Sequence, residues 1–517
     1  MRAHTSSRVG GTRATALVSA AVLVATLLTG CSVIADRLPG GSTPTLTPLE
    51  VPSEQRDLAR FYEQRLDWVD CGRGECAELT VPVDYADPDG ETIEISVLRV
   101  PSSSRRERIG SIVVNPGGPG GSGVDYASAA DLIVGADVRR RFDIVGFDPR
   151  GVARSAPIDC LDDATMDEYL SLAVTPDESE DEAAAGFDEE FVQGCSTNVG
   201  DLLGHVSTLD AARDMDVLRA ALGEERLNYL GKSYGTYLGA VYAEQFPERV
   251  GRFVLDGALP PDLGMDELTI GQAVGFERSS RAWAADCVEQ GCPLGDDPDE
   301  VVQGLSDLLE RLSVDPVPVS GDSRVDELTS GWAFYGIIRP MYDEGMWTFL
   351  TEALRDVVER EDGTALMSLA NAYLERSPSG VYLGNLIESN MVINCLDRGG
   401  IPDVEEARAR AAEEAPIWGP LLTAESSPCQ VWPTGPVGGV RTISASGAAP
   451  IVVIGTTRDP ATPYEWAKRL ADQLESGVLV SYDGDGHTAY MRGNDCVDRA
   501  IDAFYVDGVV PEDGLQC

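Results

Sequence analysis

Positive charge and histidine are scarce in this chain, and each shortage excludes a class of function. Its 40 basic residues face 86 acidic ones, a formal net charge of −46, and only Lys232 and Lys468 are lysines. Binding a nucleic acid needs a basic footprint, so so acidic a chain is not expected to take one as partner. The acidity keeps the protein soluble and would favour cationic substrates. The three histidines are His4, His205 and His487, and no C-x-x-C spacing occurs. That leaves no recognisable set of zinc ligands, and no metal or organic cofactor is implied. Beyond the N-terminal segment no apolar run reaches the roughly 18 residues of a transmembrane helix.

What is present is the composition of a globular protein, 43% hydrophobic and 24% charged, in a chain of 517 residues. Such a chain is longer than an ordinary single domain and fits a core with a large insertion.

The N-terminus has the parts of an export signal. Arg2, Arg8 and Arg13 form a basic region, and Ala14 to Leu28 an apolar stretch too short to span a bilayer. It ends in Leu28-Thr29-Gly30-Cys31, which resembles the lipobox of bacterial lipoproteins. The expectation is a lipoprotein signal peptide over 1–30, with Cys31 as the lipidated first residue. The alternative is an ordinary secretory signal with a chance cysteine. On the first reading the protein is exported and held at the cell envelope by its lipid, or released to the medium. Residues 31–57, with Pro39, Pro44, Pro48 and Pro52 and no apolar periodicity, read as a flexible tether.

Ten cysteines remain besides Cys31. An even number in an exported protein reads as a disulfide framework. Neighbouring couples suggest Cys71 with Cys76, Cys160 with Cys195, Cys287 with Cys292, Cys395 with Cys429, and Cys496 with Cys517.

From about Leu58, short apolar runs alternate with helical stretches. Leu79 to Tyr85, Ile93 to Val100, Ser111 to Asn115, Phe142 to Phe147, Leu227 to Leu230, Arg252 to Leu255, Ile451 to Ile454 and Val478 to Tyr482 read as strands. The turn Asp87-Pro88-Asp89-Gly90 makes the first two a hairpin. Continuous apolar runs suit a mostly parallel sheet covered on both faces by helices. Between Asp256 and Pro450 this pattern gives way to helical segments at 301–312, 346–361, 363–375 and 403–414. The predicted organisation is an α/β core over 58–260 and 448–517, interrupted by a mainly helical cap over 261–447.

The strongest local signal is Gly231-Lys232-Ser233-Tyr234-Gly235, between the strand Leu227 to Leu230 and the helical run Tyr237 to Gln245. Strand, motif and helix together form the nucleophile elbow of an α/β-hydrolase fold, with Ser233 as nucleophile. A serine hydroxyl needs a base, and His487, on the loop after the last long strand, lies where this fold delivers it. His205 precedes the nucleophile. Asp459, after the strand Ile451 to Ile454, suits the acid that orients the histidine; Asp256 is its rival one strand earlier, and Asp483 and Asp485 are too near His487 in the chain. Oxyanion donors are expected from the backbone N–H groups of Tyr234 and Gly118. The latter lies in the glycine-rich stretch 115–123, which lacks the spacing of a phosphate loop.

These motifs carry a resemblance. Asn-Pro-Gly-Gly-Pro-Gly at 115–120, Phe-Asp-Pro-Arg-Gly at 147–151 with Arg154-Ser155, Gly-Lys-Ser-Tyr-Gly-Thr at 231–236 and Asp-Gly-His at 485–487 resemble the exported tripeptidyl aminopeptidases of actinobacteria, which are prolyl aminopeptidase-like serine peptidases. The stretch 392–397 and the region from Pro428 onward are similar to that family's C-terminal region. Ala153 departs from the glycine often found there. The resemblance implies release of short peptides from a free N-terminus, with the cap closing the cleft. It also implies an anion for the substrate ammonium, for which Glu388 and Asp397 are candidates, with purely structural duties as the alternative. Family members also act as esterases. The substrate is therefore a peptide or an ester, and a non-catalytic envelope lipoprotein is the remaining reading.

Overall fold

The computed structural model describes residues 57–172, 178–423 and 427–517. The expected signal peptide, Cys31 and the tether up to residue 56 lie outside the described residues.

A ten-stranded sheet runs in the order β1-β2-β3-β5-β4-β6-β7-β10-β11-β12. Its strands are β1 (Val69–Asp70), β2 (Glu75–Pro82), β3 (Thr92–Val100), β4 (Gly110–Asn115), β5 (Phe142–Phe147), β6 (Leu227–Lys232), β7 (Val250–Asp256), β10 (Ile451–Arg458), β11 (Gly477–Asp485) and β12 (Leu515–Gln516). A separate antiparallel ladder pairs β8 (Val317–Pro318) with β9 (Glu327–Leu328). Pairing is antiparallel from β1 to β5 and parallel from β5 onward. Every residue of β4 and β5 is buried, as the continuous apolar runs require.

Alternation along the strands sorts side chains onto two faces. Ile112, Val114, Leu230, Val254, Val452 and Ile454 share one cluster with Val138, Val497, Ile501 and Phe504. Val113, Tyr229, Phe253, Leu255 and Val453 share the other with Met215, Leu238, Trp466 and Leu470. Helices therefore cover both faces, and the strand ends are left to carry chemistry. This is an α/β-hydrolase sheet.

Between β7 and β10 the chain is mainly helical, with the short β8–β9 ladder among the helices. The helices Pro298–Val314, Trp347–Arg360, Thr364–Tyr373 and Val404–Glu414 match the segments read from periodicity. Asp297 caps the first of these by accepting from the Asp299 and Glu300 N–H groups, with Pro298 at the first turn. Met265–Glu289, Ser330–Met341 and Leu386–Arg398 are further helices that the sequence reading did not single out. The cap's apolar cluster also takes in Ile158, Met166, Leu170, Phe191 and Val206, from the stretch between β5 and the helix Thr208–Ala221. A boundary at residue 260 counts that stretch with the core, although its apolar residues pack in the cap.

The five disulfides join the expected couples: Cys71–Cys76, Cys160–Cys195, Cys287–Cys292, Cys395–Cys429 and Cys496–Cys517.

Candidate active site

Ser233 stands between β6 and the helix Tyr234–Gln245 at φ 55° and ψ −125°. A non-glycine residue in that region is strained, and it persists because its surroundings fix it. The glycines on either side have no room for a side chain. A Cβ on Gly231 would stand 2.3 Å from the Gly235 carbonyl oxygen, and one on Gly235 would stand 2.8 Å from that of Asn115.

His487 follows β11, and its Nδ1 lies 2.9 Å from both carboxylate oxygens of Asp459, on the loop after β10. Asp459 is fully buried and also accepts from the N–H groups of Ala461, Thr462 and Thr488 and from the Thr462 hydroxyl. The imidazole is clamped from the cap side as well: its backbone N–H donates to the Tyr342 carbonyl at 3.0 Å, and the Tyr342 ring meets it edge-on at 5.2 Å. Nε2 is buried and has no hydrogen-bond partner among the described residues. Ser233 and His487 line one cleft without a direct hydrogen bond between them, a bond that in such sites often tightens only with substrate.

The rivals have other duties. Asp256 accepts from the Ala489 and Tyr490 N–H groups. Asp483 and Asp485 pair with Arg458. His205 offers its carbonyl to the buried Arg150, which forms a two-pronged ion pair with Asp214.

Tyr234 opens its helix, so its N–H has no acceptor within it. Gly117 presses against the elbow, since a Cβ there would stand 2.8 Å from that of Ser233, but its N–H is taken by the Asn115 side chain. The Gly118 N–H has no acceptor among the described residues. Neither expected donor has an acceptor among the described residues, and Gly118 lines the cleft that holds Ser233.

The cleft encloses about 570 Å³, within the usual range for a small-molecule site. Tyr335, Tyr342 and Tyr373 form an aromatic wall from the cap, and Asp125 and Glu375 supply carboxylates. A larger groove of about 710 Å³, bordered by Arg65, Val69 and Thr80 near the antiparallel edge, holds neither Ser233 nor His487.

Glu388 and Asp397 do not line the cleft. Glu388 is buried and accepts from the Cys160 and Leu161 N–H groups at 2.7 and 3.0 Å. Asp397 is buried and accepts from the Thr208 N–H at 2.9 Å and the Thr208 hydroxyl at 2.5 Å. The expectation that they receive a substrate ammonium is corrected on that ground: Glu388 Oε1 and both Asp397 oxygens accept from donors of Cys160, Leu161 and Thr208, which ties the helix Leu386–Arg398 to those segments. Asp125 already pairs with Arg73 and Arg154. Glu375 has no ion pair among the described residues and sits at φ 53°, a second strained non-glycine position at the cleft. Burial and the nearby charges of Asp125 and Asp148 push its carboxyl above the ordinary range. No motif marks it in the sequence.

A family model described as TAP-like protein matches residues 415–517. Serine protease Hip1 of Mycobacterium tuberculosis is 38% identical over 89% of this chain and 93% of its own length. The chain belongs to the TAP-like family of α/β-hydrolases. Carboxylesterase B of M. tuberculosis is 35% identical over 97% of this chain and 98% of its own. Tripeptidyl aminopeptidase of Streptomyces lividans is 31% identical, over 89% and 88%. This TAP-like protein is a serine hydrolase, and relatives of both peptidase and esterase name cover nearly its whole length.

Proposed function

We propose that the protein is a serine aminopeptidase that removes short peptides, tripeptides in particular, from free N-termini. The observation that carries this reading is the presence in one cleft of Ser233, an oriented His487 with a free Nε2, and the unpaired carboxylate of Glu375.

In the proposed reaction, Ser233 Oγ attacks the peptide carbonyl while His487 Nε2 takes its proton. Asp459 holds the Nδ1–H and stabilises the imidazolium. The Tyr234 and Gly118 N–H groups receive the oxyanion. His487 returns the proton to the departing amine, and water then clears the acyl-enzyme by the same route. Glu375 pairs with the substrate ammonium and so measures the distance from the N-terminus to the scissile bond. The tyrosine wall packs the intervening residues. The protein acts at the cell envelope, exported and anchored through lipid on Cys31; the sequence around Cys31 supports this part.

The test is mass spectrometry of the products from an unmodified peptide of about eight residues. Release of its first three residues supports the reading, and internal or C-terminal cleavage contradicts it. An esterase is the second reading, favoured by the similarity to carboxylesterase B, and would use the same three residues.

A further inference from the structure

Lys232, one of two lysines in the chain, directly precedes the nucleophile, and its ammonium points away from the cleft lining toward the chain that follows the histidine. Nζ donates to the Tyr490 carbonyl at 2.8 Å, lies 3.4 Å from Thr488 Oγ1, and stands 3.4 Å from Asp256 Oδ2. Asp256 is fully buried at the end of the next strand, β7, and accepts from the N–H groups of Ala489 and Tyr490 at 2.9 and 3.0 Å. Its own carbonyl accepts from the Ser233 N–H at 3.0 Å. Two adjacent strand ends thus grip both the nucleophile and the three residues after the base.

That grip has strain to hold. Thr488 and Met491 stand at φ 69° and 64°, in the left-handed region that non-glycine residues avoid. A loop with two such residues keeps one conformation only when its surroundings over-determine it. Lys232 is also costly where it is, because burial disfavours its charge while Asp256 favours it. Removing one partner of a buried ion pair leaves the other charge uncompensated, and here the partners of the ammonium are a buried carboxylate and a loop carbonyl.

We infer that Lys232 and Asp256 form a buried tie that positions His487 against Ser233, as positioning residues that touch no substrate. The inference rests on the assignment of Ser233 and His487 as nucleophile and base, but not on the identity of the substrate.

The test uses the full chain and a serine-directed fluorophosphonate, whose reaction needs only the nucleophile, base and oxyanion donors. Lys232→Met, Lys232→Arg and Asp256→Asn are compared with wild type, with folding checked by circular dichroism. Folded Lys232→Met is expected to lose about 10- to 100-fold in the maximal labelling rate, the scale of a misplaced reacting group. Its half-saturating probe concentration stays near that of wild type, and Lys232→Arg recovers most of the rate. A Lys232→Met protein that labels at the wild-type rate overturns the inference, as does loss confined to probe binding, or an arginine variant no better than methionine. Where Lys232→Met does not fold, Asp256→Asn decides by the same split. Wild-type protein that never labels at Ser233 overturns the catalytic assignment instead, so the two failures are distinct.

Discussion

His487 and Asp459, 28 residues apart in the chain, meet with Nδ1 held 2.9 Å from each carboxylate oxygen. The arrangement fixes which imidazole nitrogen carries the proton and leaves Nε2 for the serine. Asp459→Asn keeps the shape but presents the wrong partner to Nδ1. It is expected to lower kcat by about 10⁴-fold with the thermal midpoint little changed. Steady-state kinetics beside a melting curve checks this, and loss of less than tenfold contradicts the role.

Glu375 lines the cleft with no ion pair among the described residues, so its neutralisation should act on substrates that carry a free ammonium. Glu375→Gln is expected to lower kcat/KM for a free-amine tripeptide by about 10- to 100-fold, the worth of roughly 1.5 to 3 kcal/mol for a charge-assisted contact. The ratio of free to N-acetylated substrate should fall with it. The same measurement on Glu388→Gln should leave the ratio as in wild type, since that carboxylate is engaged with Cys160 and Leu161.

Stability should peak on the acid side of neutrality. Burial pushes Glu388 up to about 7 and Asp397 up to about 6, so the folded chain binds more protons than the unfolded one between about pH 4 and 7. Stability from these two groups is therefore fully present below pH 4 and is lost as pH rises through 6 to 7. Asp322 runs the other way. Burial raises it, but hydrogen bonds from Arg376 and from the Arg324 and Val325 N–H groups outweigh that and hold it at about 2, so its contribution is lost as pH falls from about 4 toward 2. Urea midpoints measured from pH 3 to 8 should show a maximum between, and a shift of that maximum toward neutrality in Glu388→Gln.

Cys395–Cys429 spans 34 residues within the cap and fixes the helix that carries Glu388 and Asp397. Replacing both cysteines by serine should cost roughly 2 to 5 kcal/mol. Denaturant unfolding measures it, and the fluorophosphonate labelling of the folded fraction should survive.

The sheet and the elbow were legible because strand ends in this fold carry their signals locally. Phe142 to Phe147 is a continuous apolar run, and Ser233 lies between glycines whose close contacts leave no alternative residue. The helix Met265–Glu289 was not legible, because its buried residues include Gly275, Glu277, Ser279 and Ser280, which blur any apolar stripe. The misplacement of Glu388 and Asp397 has a different cause. They were candidates because the family resemblance asks for an anion in the cap, which does not say which carboxylates face the cleft, and these two meet backbone N–H groups of Cys160, Leu161 and Thr208 instead. Glu375 was invisible for the opposite reason, since its position depends on a strained φ and on neighbours brought from residues 125 and 148.

The central claim, a serine aminopeptidase, is tested most directly by the hydrolysis rate of a tripeptidyl arylamide against its N-acetylated twin, in wild type and in Ser233→Ala. The account predicts rapid release from the free amine, slow release from the acetylated form, and loss of several powers of ten for Ser233→Ala. Equal rates for the two peptides, or activity retained without the Ser233 hydroxyl, would contradict it.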